Sequence, residues 1–225
     1  ATDIDYTTLS YSITQISDNI SAVITDNILS ITPSSNYFGE QSITLSVADE
    51  ELSDSETFTV TINAINDAPV LAAVSDVSFD EDTSGSLSVS GSDIDGDGLT
   101  YSITAGTDIT AALDGSDISF SAPIDFNGSE TFTVTVTDGE LSDSQSMTVT
   151  ILPVNDAPVA TTGLIGDTNE DQSIVVNLSG SDIDGDNLSF SLNTDASSGS
   201  VQINGTLATY TPTSNYNGDD SFVFT

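Results

Sequence analysis

Hydrophobic and polar residues alternate along several stretches of this chain. In 131–137 the order is T-F-T-V-T-V-T, which places the phenylalanine and valines on one side and the threonines on the other. The same period of two returns at 57–62 and 146–151. Such alternation, rich in Val, Ile, Thr and Phe, predicts half-buried antiparallel strands. No segment carries a sustained apolar stripe of helical period.

Turn-forming pairs separate these runs. Asp-Gly occurs at 95–96 and 138–139, and Asn-Gly at 127–128. These pairs favour the tight turns that connect neighbouring antiparallel strands. A unit of about seven short strands with such turns is typical of a Greek-key β-sandwich.

The chain repeats itself with a period of about 89 residues. SDIDGDGLTYSI begins at Ser92 and returns as SDIDGDNLSFSL at Ser181, and a degenerate copy begins at Thr2. NDAPV occurs at Asn66 and again at Asn155. Several motifs that share one period indicate a tandem array. The predicted fold class is therefore all-β, with tandem Greek-key β-sandwich repeats of about 89 residues.

The repeat divides the chain into one complete and two partial units. Residues 1–65 are expected to hold the later strands of one unit, 66–155 a complete unit, and 156–225 a unit without its last strand. One interpretation is that the sequence is a window from a longer array. The other is that neighbouring copies complete the open ends by strand complementation, which would build a filament.

The charge of the chain excludes several classes of function. Its 225 residues include 36 acidic side chains and no Lys, Arg or His, for a net charge of −36. Nucleic-acid binding through phosphate contacts and docking on an anionic membrane both need basic residues. No apolar run approaches the length of a membrane span. Disorder is not expected, because the 36% of hydrophobic residues fall in ordered patterns.

Without basic side chains, each carboxylate must be solvated, hydrogen-bonded or paired with a bound cation. Three acidic elements recur at predicted sandwich ends: the D-I-D pair, the glutamate of E-D-T/Q, and the N-D linker before Ala-Pro. Ca²⁺ takes six to eight oxygen ligands, which suits carboxylates and amides from converging loops. Mg²⁺ needs a tighter octahedron and fits less well. The predicted cofactor is Ca²⁺.

One competing motif is the calcium loop of EF-hands and dockerins. Residues 93–98 match its first half, but the position of its bidentate Glu is Thr104, or Asn193 in the next copy. The predicted flanks are strands rather than helices, so an EF-hand is rejected. Asp97 and Asp186 stay as candidate outer ligands.

At these motifs the sequence resembles a known family. GSDIDGDGLTYSI is similar to the A-T-D-A-D stretch of cadherin repeats, and VTDGELSDSQSMTVTILPVNDAPV is similar to their linker segment. With its E-D-T and D-F-N-G elements, the chain most resembles the bacterial cadherin-like tandem repeats of giant surface adhesins. The resemblance covers essentially the whole chain.

This resemblance implies calcium between successive units. At the junction of the second and third units it implies the ligands Glu81, Asp125, Asn127, Asn155, Asp156, Asp182 and Asp184. At the first junction it implies Asn36, Asn66, Asp67, Asp93, Asp95 and Asp138. The first Asp of the family's linker motif is Ala64 or Pro153 here, and the first unit lacks the Glu element. We therefore expect fewer ions than the family's two or three, and weaker binding at the first junction.

An enzyme is not expected, because no His, Cys or Lys is present to build a nucleophilic site, and no Trp lines a glycosidase cleft. The resemblance implies a calcium-rigidified extracellular segment, a stiff spacer or fibre of a bacterial surface protein. Its partners would be adjacent repeats, neighbouring copies in a filament, or a host or neighbouring-cell surface. A self-assembling filament is one alternative. A carbohydrate- or protein-binding module is another, with Tyr37, Tyr210 and Tyr216 as candidates.

Overall fold

A computed structural model describes residues 1, 2, 4 and 8–225 of the chain. Every regular element in these residues is a β-strand, which confirms the all-β prediction. The chain forms two compact units, of which the first comprises Ala1–Val77, Gly85–Ser121 and Glu130–Val149, and the second Ser78–Ser84, Ala122–Ser129 and Thr150–Thr225. The degenerate D-I-D copy after Thr2 includes Asp3 and Asp5, which lie outside the described residues.

The first sequence repeat forms two antiparallel sheets. Its strands are β1 (Ser10–Gln15), β2 (Ile20–Thr25), β3 (Ile28–Pro33), β4 (Gly39–Ala48) and β5 (Ser53–Ile62). One sheet has the order β1-β4-β5, and the other is the β2-β3 hairpin.

The second repeat has nine strands, two more than the roughly seven expected from the sequence, and two of the nine are only two residues long. Its strands are β6 (Val70–Leu71), β7 (Val77–Asp80), β8 (Gly85–Ser88), β9 (Gly91–Ser92), β10 (Thr100–Ile103), β11 (Thr110–Asp114), β12 (Asp117–Ser121), β13 (Gly128–Thr137) and β14 (Ser142–Leu152). They form a sheet of order β10-β13-β14-β7, a sheet of order β11-β12-β8, and the short pair β6-β9.

The third repeat lies in the second compact unit. Its strands are β15 (Val159–Ala160), β16 (Ile174–Asn177), β17 (Gly180–Ser181), β18 (Leu192–Thr194), β19 (Gly199–Asn204), β20 (Leu207–Pro212) and β21 (Val223–Phe224). They pair as β15-β17, β16-β20-β19 and β18-β21. Leu178, Val201 and Ala208 form its buried core, which Phe190, Phe224 and other half-buried residues surround.

The period-two pattern in the sequence corresponds to the buried face of the second repeat. On β13, Phe132, Val134 and Val136 have no exposed surface, whereas the threonines between them reach the solvent side. Phe132 meets Phe120 of β12 edge to face, with ring centroids 5.5 Å apart. Burial of aromatic and branched side chains removes apolar area from water and provides the main stabilisation of the sandwich.

A carboxylate at the same place in the second and third repeats holds a loop through backbone hydrogen bonds. Glu130 accepts hydrogen bonds from the backbone N–H groups of Thr107 (2.9 Å) and Asp108 (2.7 Å). In the third repeat Asp220 accepts the backbone N–H groups of Ser197 and Ser198 and the Tyr210 hydroxyl. Burial raises the pKa of Asp220, but these donors outweigh it and hold the pKa at about 2.

Asp220 is expected to make the third repeat sensitive to acid. Because its pKa is depressed in the folded state, its contribution is full above the ordinary value of 3.8 and is lost as the pH falls through about 2. Asp220→Asn should lower the melting temperature at neutral pH, and its difference from wild type should close on acidification. Thermal melts as a function of pH test this, with exposed Asp219→Asn as the control. A difference that is independent of pH would contradict the prediction.

Candidate metal centre

The loop that follows β7 carries two neighbouring carboxylates. Glu81 is only 4% exposed, although its side chain is a carboxylic acid. Its backbone N–H donates to the Leu152 carbonyl at 2.9 Å, which fixes the loop beside the end of β14. Asp82 follows with a φ of 61°, in the left-handed region that Asp and Asn tolerate better than most residues. Asp82 is exposed, so the loop presents one buried and one accessible carboxylate.

The loop that precedes β13 lies against the Glu81 loop. Asp125 also has a left-handed backbone, with a φ of 59°, and its N–H donates to Oδ1 of Asp82 at 3.0 Å. Asn127 donates through Nδ2 to Oε2 of Glu81 at 3.3 Å. The two loops are therefore joined by one bond from a backbone N–H to a side chain and one between two side chains.

The linker after β14 contacts both loops. The Val154 N–H donates to Oε1 of Glu81 at 2.6 Å. The Asp156 N–H donates to Oδ2 of Asp184 at 2.7 Å, and Asp184 belongs to the third repeat's D-I-D turn. The side chain of Asn155 donates to the Asp156 carbonyl at 3.1 Å. The linker is thus held on both sides by carboxylates.

These contacts gather five carboxylates into two overlapping groups, all in the second compact unit. In one group, oxygens of Glu81, Asp156 and Asp184 lie within 4.8 Å of one another. In the other, oxygens of Asp82, Asp125 and Asp156 meet the same limit. We call these residues the Asp156 cluster, because Asp156 belongs to both groups.

The Asp156 cluster is electrostatically unfavourable without a positive charge. Burial, followed by the charges of Asp82, Glu81 and Asp184, raises the pKa of Asp125. Burial also raises the pKa of Asp156, again reinforced by its carboxylate neighbours. Raised carboxyl pKa values mean that deprotonation costs stability in the folded state. A hard divalent cation among these oxygens would reverse that penalty, so the residues fit Ca²⁺.

The D-I-D turn itself uses its first aspartate for local structure. Oδ1 of Asp182 accepts the N–H groups of Asp184 and Asp186, both at 3.1 Å. Gly185 completes the turn with a φ of 79°, which a side chain would oppose. Asp182 lies outside the two groups of the Asp156 cluster, whereas Asp184 lies inside one of them.

Four of the residues expected at the first junction are hydrogen-bonded in pairs within the first compact unit, whereas the side-chain hydrogen bond of Asn36 is with its neighbour Ser35. The Asp67 N–H donates to Oδ2 of Asp95 at 2.8 Å, the counterpart of the contact between Asp156 and Asp184. Nδ2 of Asn66 donates to Oδ2 of Asp138 at 2.9 Å. The backbone N–H of Leu141 and the Asn66 amide lower the pKa of Asp138, which keeps it ionised.

The three-carboxylate group in this region is Asp93, Asp95 and Asp97. Oδ1 of Asp93 accepts the N–H groups of Asp95 and Gly96, but its Oδ2 is buried without a hydrogen-bond partner. The linker aspartate of this region, Asp67, is outside the group. The two junction regions therefore differ, because Asp67 belongs to no three-carboxylate group among the described residues, whereas Asp156 belongs to two.

Sequence reasoning missed one member of the Asp156 cluster. Asp82 was not among the expected ligands, although the E-D pair recurs at Glu170 and Asp171. The recurrence of the second carboxylate could have indicated it. The structure also places Asp97, expected only as an outer ligand, within the group at the first region.

Comparisons with known proteins agree with this architecture. The family model described as bacterial Ig domain matches the chain three times, over residues 1–63, 66–151 and 155–225. The chain belongs to the bacterial Ig domain family. Bacterial Ig and cadherin-like repeats are non-catalytic domains typical of extracellular, adhesion-type proteins. A search of curated protein sequences found no match. No helix in the described residues is long and apolar enough to cross a membrane.

Solved structures with similar folds include cadherin extracellular domains. PcdhgB3 EC1-4 is 12% identical, with a TM-score of 0.52 over 96% of this bacterial Ig chain and 65% of its own length. Protocadherin gamma B7 extracellular cadherin domains 1-4 are 18% identical, with a TM-score of 0.50 over 94% and 60%. An endo-fucoidan hydrolase is 19% identical but has a TM-score of only 0.35, over 97% and 36%. The chain spans less than two thirds of each of these proteins.

Proposed function

We propose that this chain is a calcium-rigidified extracellular segment, a stiff spacer or fibre of a bacterial surface protein. The observation that carries the proposal is the Asp156 cluster. Three loops and a linker bring five carboxylates together in a chain that has no basic side chain to neutralise them. Folding of such a cluster is unfavourable unless a cation from solution joins it.

The ligand chemistry favours calcium. The Asp156 cluster offers carboxylate oxygens, which hard cations prefer, and the flexible coordination of Ca²⁺ suits ligands from several loops. The cadherin-like resemblance implies the same ion at the same elements. Bound calcium would tie the end loops of the second repeat to the linker and to the D-I-D turn of the third. A linker held in this way would be stiff, which is what a spacer at the cell surface requires.

The hydroxyl groups of the three half-buried tyrosines considered for carbohydrate binding form hydrogen bonds within the chain. The Tyr210 hydroxyl donates to Asp220, and the Tyr216 hydroxyl donates to the Asp219 carbonyl at 2.7 Å. The Tyr37 hydroxyl is bonded to the Gln41 amide. These contacts support a structural role for the tyrosines at turns of the repeats, and we favour the spacer over a sugar-binding module.

Substitution of the buried glutamate tests the proposal. Glu81→Gln keeps an oxygen for the Val154 N–H but removes the charge, so it should weaken calcium binding at the Asp156 cluster by more than tenfold. Isothermal titration of calcium into the intact chain measures this loss. The matched control is Glu170→Gln, because Glu170 occupies the same place in the next repeat and is exposed. Wild type without calcium binding, or a variant that binds like wild type, would contradict the proposal.

A further inference from the structure

The first strand of the second repeat is interrupted between β6 and β7. β6 pairs with β9, whereas β7 belongs to the sheet that contains β14. Residues 72–76, which connect the two strands, form no strand themselves. Backbone N–H and carbonyl groups in such a segment need other partners, because leaving them unpaired beside the core is unfavourable. We call residues 71–76 the crossing segment.

Side chains of β14 supply those partners. Oδ2 of Asp143 accepts the Leu71 N–H at 2.9 Å. Oε1 of Gln145 accepts the Val74 N–H at 3.0 Å. Nε2 of Gln145 donates to the Leu71 carbonyl at 2.9 Å and to the Ala72 carbonyl at 3.3 Å. Both polar atoms of the Gln145 amide are therefore used to hold the crossing segment where the backbone ladder is missing.

One side chain of the crossing segment is bonded to β14 in return. Oδ1 of Asp76 accepts the Thr148 N–H at 2.7 Å. Asp76 and Asp143 both accept through carboxylates, and such charge-assisted hydrogen bonds are stronger than neutral ones. We call Asp76, Asp143 and Gln145 the side-chain latch. It holds the crossing segment on β14, and Leu71, only 3% exposed, anchors the start of the segment in the core.

The order of these bonds shows that the crossing segment and β14 run in the same direction. Leu71 is bonded to Asp143 and Asp76 to Thr148, with Gln145 between them, so the residue numbers rise together. The chain therefore enters the second repeat at one end of the latch and leaves it, after β14, beyond the other end. A pull on the two linkers acts along the strands, as shear, and loads all bonds of the latch at once.

We infer that the side-chain latch bears the tension applied to the second repeat, with Gln145 as its main member. The three repeats follow one another along the chain, so tension on its two ends passes through the second repeat. Gln145 forms three of the five hydrogen bonds of the latch. This inference goes beyond the proposed function, because no cation takes part in the latch.

The first repeat has a different side chain at the place of Gln145. Glu56 of β5 corresponds to Gln145, and Asp54 corresponds to Asp143. Oδ1 of each of these aspartates accepts the N–H of the residue that follows it, so the two aspartates are placed alike. An ionised glutamate has no donor for the carbonyl groups that Gln145 contacts. Gln145→Glu therefore keeps the length of the side chain and removes only the donor part of its bonding.

Single-molecule pulling on the intact chain tests the inference. The chain has no cysteine, so Ala64→Cys and Pro153→Cys attach handles on either side of the second repeat. At constant force and constant calcium, Gln145→Ala should shorten the lifetime of the folded repeat by about tenfold, because it removes three hydrogen bonds. Gln145→Glu should shorten it as well. The matched control is Ser144→Ala, at an exposed position of the same strand, which should leave the lifetime unchanged.

A second pulling geometry separates the latch from a general loss of stability. Handles at Ala64→Cys and Glu140→Cys pull the crossing segment away from the start of β14, so that the latch bonds break one after another. Wild type should open at a lower force in this geometry, and Gln145→Ala should change its lifetime much less than in shear. Circular dichroism establishes that each variant is folded.

Two results would overturn the inference. One is a lifetime in shear that Gln145→Ala leaves unchanged. The other is an equal change in both geometries, because Gln145 would then contribute only to the general stability of the repeat. Neither result bears on calcium binding at the Asp156 cluster, so the proposed function is tested separately.

Discussion

Calcium removal is expected to loosen the Asp156 cluster and lower the melting temperature of the intact chain by several degrees. Extracellular modules bind Ca²⁺ with Kd values of about 10⁻⁴–10⁻³ M. At roughly ten times Kd, each independent site stabilises the folded state by about 1.4 kcal/mol. In a chain of this size, each kcal/mol shifts the melting temperature by roughly 2–4 °C. Release of the ions also restores the repulsion that raises the pKa of Asp125 and Asp156.

Small-angle scattering and calorimetry, with calcium and then with excess EGTA, measure the two parts of this effect. Chelation should give a scattering profile typical of a more flexible chain. It should also lower the melting temperature. Glu81→Gln should respond less than wild type, because it has already lost an ion at the Asp156 cluster. If neither scattering nor melting changes with EGTA, the cluster is a set of solvated turn residues.

Sodium chloride separates specific binding from general charge screening. At 0.15 M ionic strength the screening length is about 8 Å, so salt weakens repulsion among all 36 acidic groups. In EGTA, added salt should therefore recover part of the melting temperature. It should not recover the stiffness, because monovalent ions do not cross-link Glu81, Asp156 and Asp184. Full recovery of stiffness by salt alone would contradict a calcium cross-link.

The strands could be predicted from the sequence because one local rule determines them. Alternation with period two places Phe132, Val134 and Val136 on one face of β13. Each sheet of a sandwich buries only one of its two faces, so this face is the buried one. The repeat period then extended the assignment to weaker strands. The bacterial Ig domain model matches the chain three times, in agreement with the three repeats predicted from the sequence.

The candidate site could be predicted only in part, because its geometry depends on backbone conformation. Recurrence indicated Glu81 and Asp156, but nothing in the sequence states that Asp82 adopts a φ of 61° and meets the Asp125 loop. Adjacent carboxylates on a strand would point in opposite directions. In this turn, both side chains reach the cluster. Asp182 is the opposite case, an expected ligand that lies outside the Asp156 cluster. One of its oxygens accepts a backbone N–H group of its own turn.

The burial of Glu81 could not be predicted from the sequence either, because it arises from tertiary contacts. The residue lies 73 positions before the Val154 N–H that it accepts, and 46 before the Asn127 amide. No local pattern brings these groups together. The composition of the chain indicated a bound cation where the residue pattern did not, because a chain with no basic side chain has to obtain its counter-charge from solution.

Phe132→Ala is expected to destabilise the second repeat by about 3–5 kcal/mol, the cost of truncating a fully buried phenylalanine. The loss combines the apolar area no longer buried with a cavity beside Phe120, whose ring packs edge to face against Phe132. Denaturant unfolding followed by circular dichroism measures it. Thr131→Ala, on the exposed side of the same strand, should change stability by no more than about 0.5 kcal/mol.

The effect of Phe132→Ala should be the same in calcium and in EGTA, whereas the effect of Glu81→Gln should appear only when calcium is present. This contrast follows from the two kinds of stabilisation in the chain. Apolar burial holds each sandwich without reference to ions, and the carboxylates at its end provide stability only through a bound cation. If chelation instead removes most of the Phe132→Ala effect, the second repeat is already unfolded without calcium. The ion would then be part of the fold of the repeat as well as of its linker.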